Sequence, residues 1–201
     1  MTGLRVENLT TDIFENLSFE MPSTGLYGLI GRNGIGKSTL FSLLNGEMKF
    51  SVGKLEVGKL AYVPSLEIFD KYLTANDYLK LLASEEQAVF RQNLERLGGA
   101  DFFNQKIGKY SLGMKELFAF LYILSIESDV LILDELLDGL DEQRRFAAYR
   151  LLKKHSHEKL ILLTSHNLSE VFDTTDRVYI LEKTALKVID NLETAQAQIS
   201  F

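Results

Sequence analysis

Cysteine is absent from the 201-residue sequence, which excludes disulfides and thiolate metal sites and fits a reducing compartment. Proline is almost absent: only Pro22 and Pro64 occur, and no Ser-rich, Gly-rich or like-charge run is long enough to be a linker. No internal repeat is evident, so the chain reads as one continuous unit, large enough to bury a single core. Long apolar runs are missing as well. The longest, Leu117 to Ile126, is far short of the roughly 20 residues a membrane helix needs, and Met1 to Thr10 lacks the basic, apolar, small-residue order of a signal peptide. Positive charge is in deficit: 22 Lys and Arg against 28 Asp and Glu leave a formal −6. That balance argues against a protein that wraps nucleic acid by neutralising its phosphates. Together these absences point to a soluble chain whose membrane contacts, if it has any, run through a partner.

What is present is a recurrence of short β-type segments: Leu4 to Val6, Leu17 to Glu20, Leu26 to Ile30, Leu60 to Val63, Val130 to Leu133, Leu160 to Thr164 and Val178 to Leu181. Leu26 to Ile30, Val130 to Leu133 and Leu160 to Thr164 are almost continuously apolar, as expected of parallel strands covered on both faces, and should form the sheet centre. Leu4 to Val6 and Leu17 to Glu20 flank a turn-rich stretch, which suggests a small antiparallel sheet beside the parallel one. Lys37 to Asn45 places Leu40, Leu43 and Leu44 on one helical face and stops at Gly46. Asn76 to Leu97 has room for two short helices before Gly98 and Gly99. No strand signal appears between Val63 and Val130, so that interval reads as a helical lobe inserted into an α/β core.

Gly31-Arg32-Asn33-Gly34-Ile35-Gly36-Lys37-Ser38 matches the phosphate-loop pattern and lies between an apolar strand and an amphipathic helix, where the mechanism needs it. Glycines let the backbone turn tightly and bring its N–H groups against a triphosphate, while the following helix points its positive end at the same anion. Lys37 can reach the β- and γ-phosphates, and the Ser38 hydroxyl can ligate magnesium. With ordinary residue usage the four fixed positions would recur by accident in roughly one chain of this length in a hundred, before the strand and helix context is required.

Asp134 and Glu135 follow the apolar strand Val130 to Leu133, at the carboxyl edge where open α/β sheets bind ligands. Asp134 is suited to the magnesium shell and Glu135 to taking a proton from an attacking water. An isolated Asp-Glu pair would more often be an acidic helix start; beside a phosphate loop the catalytic reading gains. His166 follows another buried strand onto the same edge, within reach of a γ-phosphate or the water. His155 and His157 stand among Lys153, Lys154 and Lys159, where no carboxylate or thiolate cluster completes a metal site.

These residues resemble those of an ATP-binding cassette (ABC) ATPase, the nucleotide-binding subunit of ABC transporters, over nearly the whole chain. After Gly31 to Thr39 come Tyr110-Ser111-Leu112-Gly113-Met114, similar to the family's LSGGQ signature and to the SLGMK form of many bacterial exporter ATPases. Leu131 to Glu135, the Gly139-Leu140-Asp141 loop, and Thr164-Ser165-His166-Asn167 with a later Asp176-Arg177-Val178 complete the order. The resemblance implies a P-loop NTPase core with a mainly parallel sheet, a small antiparallel β subdomain and a short helical lobe. It implies a single domain over 1–201, with an ATP-binding core of about 1–64 and 127–201 and a lobe of about 65–126. Gly31, Asn33, Gly34, Gly36, Lys37, Ser38 and Thr39 would bind ATP. Ser38 and Asp134 would hold Mg2+, and Glu135 and His166 would be catalytic. Ser111 and Gly113, standing before an apolar helix through Leu117, Phe118 and Leu121, would face the nucleotide of a second subunit with Asp141 close by. Read alone, Ser111 is a plain N-cap.

The implied partners are a second ABC ATPase subunit, identical or not, and a separate transmembrane permease, with the chain cytoplasmic and peripheral to the inner face of the membrane. Such a subunit would hydrolyse ATP to drive an exporter by dimer closure and opening. The alternative is a non-transport or degenerate ABC protein that binds ATP and acts by dimerising. A nucleotide kinase would share the phosphate loop but not Ser111 to Met114 or His166. Four departures stand out: Ser65 occupies the place of the family's Gln, Leu136-Leu137 replaces Pro-Thr, the stretch from Leu82 to Tyr110 is short, and the nearest aromatic for stacking on adenine is Phe14.

Overall fold

The computed structural model describes residues 3–199, apart from the side chain of Ala100. Its centre is a six-stranded sheet in the order β5(Leu60–Tyr62), β6(Val130–Asp134), β7(Leu160–Thr164), β3(Gly25–Ile30), β8(Arg177–Leu181) and β9(Leu186–Ile189). All neighbours are parallel except β8 and β9. The three segments read as continuously apolar, β6, β7 and β3, are adjacent in the middle. Alternation explains why they have no polar face: Val130, Ile132, Leu160 and Leu162 enter one core, while Leu131, Leu133, Ile161 and Leu163 enter the other. A strand covered on both sides has no position that water can reach.

The second sheet is antiparallel, in the order β2(Leu17–Met21), β1(Leu4–Thr10), β4(Val52–Val57). Strands β4 and β9 were not anticipated. Both are sheet-edge strands with little buried surface; β4 carries Lys54 and Glu56, and β9 exposes Lys187 and Val188. Ladder pairing holds them, and pairing leaves a weaker mark on sequence than burial does.

The helix α1(Lys37–Leu44) buries Leu40, Phe41, Leu43 and Leu44, and Gly46 follows it with φ of 74°, the left-handed conformation in which helices commonly end. Between β5 and β6 the described residues form helices and turns, with no strand but a single antiparallel bridge between Thr74 and Lys106. The helices are α2(Ala75–Leu79), α3(Ser84–Leu97), which meets Gly98, and α4(Leu112–Ser125), with one 3-10 turn before α2 and two between α3 and α4. Phe69 joins these elements, with ring centroids 4.9 Å from Phe118, 5.2 Å from Tyr78 and 5.9 Å from Tyr122. Edge-on aromatic pairs of this kind add about 0.5–1.5 kcal/mol each beyond their burial.

Among the described residues three further helices follow, α5(Glu142–His155), α6(Leu168–Thr174) and α7(Leu192–Ile199). The α5 sequence is strongly polar and buries only Ala148, Tyr149, Leu151 and Leu152, so its period is faint in sequence. Asp141 caps it, accepting from the Arg144 N–H at 2.9 Å. Among the described residues no helix is long and apolar enough to cross a membrane.

Candidate functional site

The loop between β3 and α1 is shaped by two glycines. Gly34 has φ of 79° and Gly36 φ of 110°, values that an L side chain rarely adopts. A Cβ on Gly36 would also lie 2.8 Å from Ile13 and 2.9 Å from Phe14. The loop therefore rests directly on the β1–β2 connection, and α1 begins with a glycine cap that leaves its first N–H groups to a ligand. Lys37 Nζ donates to the Gly31 carbonyl at 2.9 Å, which folds the ammonium back over the loop it would serve.

Beside the loop lie the carboxyl ends of β6 and β7, paired so that Asp134 stands opposite Thr164. The Ser38 hydroxyl donates to Asp134 Oδ2 at 2.9 Å, and the Thr164 hydroxyl donates to Oδ1 at 2.7 Å. The same Thr164 oxygen accepts from the Glu135 N–H at 2.9 Å. One hydroxyl thus sets both acids. Glu135 itself sits at φ of 55°, a costly conformation for this residue type and one that clusters at functional sites. Its Oε2 lies 3.2 Å from His166 Nε2. Behind Asp134, burial first, then the charges of Asp134 and Glu47, keep the Tyr62 phenol neutral well above its ordinary range.

The segment after β7 is held by Asp138, which accepts from the Ser165 hydroxyl at 2.6 Å and from the His166 N–H at 3.0 Å. Farther along, Arg145 of α5 forms a two-pronged pair with Glu170 of α6 at 2.7 and 2.8 Å, with both side chains largely buried. Planar pairing of this kind fixes orientation as well as distance. Asp176 accepts from the Leu26 N–H at 2.9 Å and pairs with Lys153, so it ties the start of β3 to α5.

Gly31, Asn33, Lys37, Glu135 and His166 line one cavity of about 110 Å³, with Thr164, Ser165 and Ile199 among its other walls. Ser38 and Asp134 are joined by their hydrogen bond alongside it. These two supply hard oxygen atoms at adjacent points, a donor pair that suits magnesium. Thr39 opens instead onto a separate cavity of about 450 Å³ with Thr10 to Ile13, Leu43 and Met48 to Ser51.

Ser111, Gly113 and Asp141 do not line the phosphate cavity. Ser111 is the N-cap of α4, accepting from the Met114 N–H at 3.3 Å; Gly113 lies within the first turn of α4 and not ahead of it. Asp141 faces a different cavity with Arg144 and Arg150. Phe14 has no exposed surface: it supports Gly36 from inside the core and has no face free for a base. The Ser65 hydroxyl caps the 3-10 turn at 66–68, accepting from the Glu67 N–H at 3.1 Å. Among the described residues no group of three or more His, Asp or Glu side chains gathers as metal ligands, at His155 and His157 or elsewhere. Sequence reasoning missed Thr164 and Asp138 as site-builders. Thr164 was hidden as the last residue of an apolar strand, and Asp138 lay three residues past a carboxylate pair that drew the attention.

A parallel sheet whose central strand runs through a Gly-rich loop into a helix, with acids on the neighbouring strand end, defines a phosphate-loop nucleotide-binding protein. The ABC transporter family model matches residues 14–138, more than half of the chain, and the chain belongs to that family. The ATP-binding domains of the family are ATPases that power membrane transporters, and this chain is one such domain. It is 31% identical over 195 residues to the Yersinia pestis chelated iron transport system membrane protein YfeB, covering 84% of this chain and 66% of YfeB. It is 29% identical over 199 residues to a Thermotoga maritima protein named as a probable metal transport system ATP-binding protein, covering 92% of this chain and 83% of that one. The fold matches a solved ATP-binding subunit of an ABC transporter with a TM-score of 0.84 at 23% identity, over 98% of this chain and 93% of the other.

Proposed function

We propose that the chain is the ATP-hydrolysing subunit of a transporter whose membrane-spanning permease is a separate chain. The observation that carries this is the convergence of Lys37, Glu135 and His166 on the cavity walled by Gly31 and Asn33. The Gly31 to Thr39 backbone cradles the triphosphate, and Lys37 leaves the Gly31 carbonyl to neutralise the outer phosphates. Ser38 and Asp134, joined by their hydrogen bond, would hold Mg2+, which would supply positive charge to offset that of the phosphates. Glu135 takes a proton from the attacking water, and His166, 3.2 Å from that carboxylate, orients the water or the γ-phosphate.

Ser111, Gly113 and Asp141 serve the site of a second subunit, identical or related; the supporting observation is that none of them lines the phosphate cavity of their own chain. In this reading the nucleotide core is 1–64 with 127–201, and the lobe is 65–126. The subunit works at the cytoplasmic face of the membrane through its permease, and its net charge of −6 gives nucleic acid no part. Export as the direction rests on the Ser111 to Lys115 pattern; the metal transport names of two relatives favour metal as cargo. The deciding experiment is steady-state phosphate release from ATP with and without Mg2+, by the chain alone and together with any membrane permease that co-purifies with it. Hydrolysis that needs Mg2+ and rises with the permease is expected. Absence of hydrolysis in both settings would leave only the nucleotide-binding, dimerising alternative.

A further inference from the structure

The first turn of α4 and the phosphate cavity are joined by a side chain to which the hydrolysis scheme assigns no role. Glu116 lies on α4, is 6% exposed, and its Oε2 accepts from the Gly139 N–H at 2.7 Å. The approach is close from two directions. A Cβ on Gly139 would fall 2.5 Å from Glu116 Oε2, and a Cβ on Gly113 would fall 2.8 Å from the Gly139 carbonyl oxygen. The loop carrying Gly139 therefore sits directly on the helix start, at positions where side chains on either glycine would force it away.

Asp138, the residue before Gly139, is the group that holds the Ser165 hydroxyl and the His166 N–H. One hydrogen-bonded path thus runs from α4 through Glu116, Gly139 and Asp138 to the backbone of His166, whose ring faces Glu135. Burial raises the Glu116 carboxyl above its ordinary value, the Gly139 N–H opposes that rise, and Asp138 adds to it. A carboxyl group in so enclosed a place is costly unless its partner is specific.

We propose that Glu116 is a positioning residue for hydrolysis: by holding the Gly139 amide it sets Asp138, and through it His166, in register with the start of α4. This rests on the hydrolysis reading above. The test compares Glu116→Met, which keeps length but accepts no strong hydrogen bond, with Glu116→Gln, whose carbonyl can still accept from Gly139. The Met variant should lose at least tenfold in kcat with KM for ATP within twofold of the parent, and Gln should recover kcat to within threefold. In amide proton–nitrogen spectra the Gly139 and His166 signals should move together in the Met variant and stay in place in the Gln variant.

Full turnover in the Met variant, or a Gln variant as impaired as Met, would overturn the proposal. If Glu116→Met does not fold, Gly139→Ala displaces the carboxylate from the other side and is judged by the same kcat criterion. If the parent protein itself turns over no ATP, the hydrolysis reading fails, and the spectra decide this inference: a Gly139 signal that moves while His166 stays still overturns it.

Discussion

His166 Nε2 lies 3.2 Å from Glu135 Oε2, with both side chains exposed to solvent. An exposed pair of this kind adds little to stability, so its geometry speaks for chemistry. Glu135→Gln keeps the shape and removes the basicity. Turnover should fall roughly a hundredfold or more, as for loss of a general base, while ATP binding and the melting temperature stay near the parent values. Phosphate release and equilibrium nucleotide binding, measured on the same preparation, check it. Undiminished turnover would take Glu135 out of the mechanism and make His166→Ala the next variant to measure.

Lys37 donates to the Gly31 carbonyl across the loop and lines the phosphate cavity. Lys37→Ala should weaken ATP binding by about 10- to 100-fold, the range for losing a charged hydrogen bond of about 1.5–3 kcal/mol, and abolish turnover. Affinity for adenosine, which has no phosphates, should not change. A titration of both ligands against the variant separates the two, and equal losses for both would mean that the loop itself had collapsed.

The parts of this molecule that could be read from sequence are those where one physical demand acts alone. Leu131, Ile161 and their neighbours had to be apolar on both faces, so β6, β7 and β3 declared themselves as the sheet centre. Gly34 and Gly36 had to be glycine because their φ angles are positive, so the loop was legible in place and in backbone shape. Strand β4 was not, because its residues satisfy pairing with β1 and little else. Helix α5 was hidden because four buried side chains in fourteen residues leave a faint period. Phe14 misled for a different reason: an aromatic in the right stretch of chain can face the core as readily as a ligand, and only packing against Gly36 decides which. Glu116 and Asp138 could be recognised only once the fold had brought α4, the Gly139 loop and His166 together.

The burial of Phe14 carries its own prediction. Phe14→Leu shortens a side chain with no exposed surface that lies against the phosphate loop, and should cost about 1–3 kcal/mol through lost packing. The ratio of ATP to GTP affinity should stay the same, because Phe14 touches no base. Thermal unfolding reports the first effect and competition binding the second. A large change in the ratio would restore Phe14 as a base-recognition residue.

Asp77 offers a test of the helical lobe that is independent of nucleotide. Its carboxylate accepts from the hydroxyl and N–H of Thr74 and pairs with Lys80 at 2.9 Å, capping α2. The Thr74 hydroxyl first, then Lys80 and the Thr74 N–H, lower its pKa from 3.8 to about 2. Because the folded value lies below the unfolded one, the carboxylate stabilises the fold above about pH 4. That contribution fades as the pH falls from about 4 through about 2, and it is lost only below the folded value, where both states are protonated. Asp77→Asn should therefore melt a few degrees below the parent at pH 6, and the gap should narrow steadily as the pH falls from about 4 to 2.5. Melting curves of both proteins across that range measure it. A gap that stays constant with pH would mean that the amide's loss is one of shape, and that the charge on Asp77 has no part in holding α2.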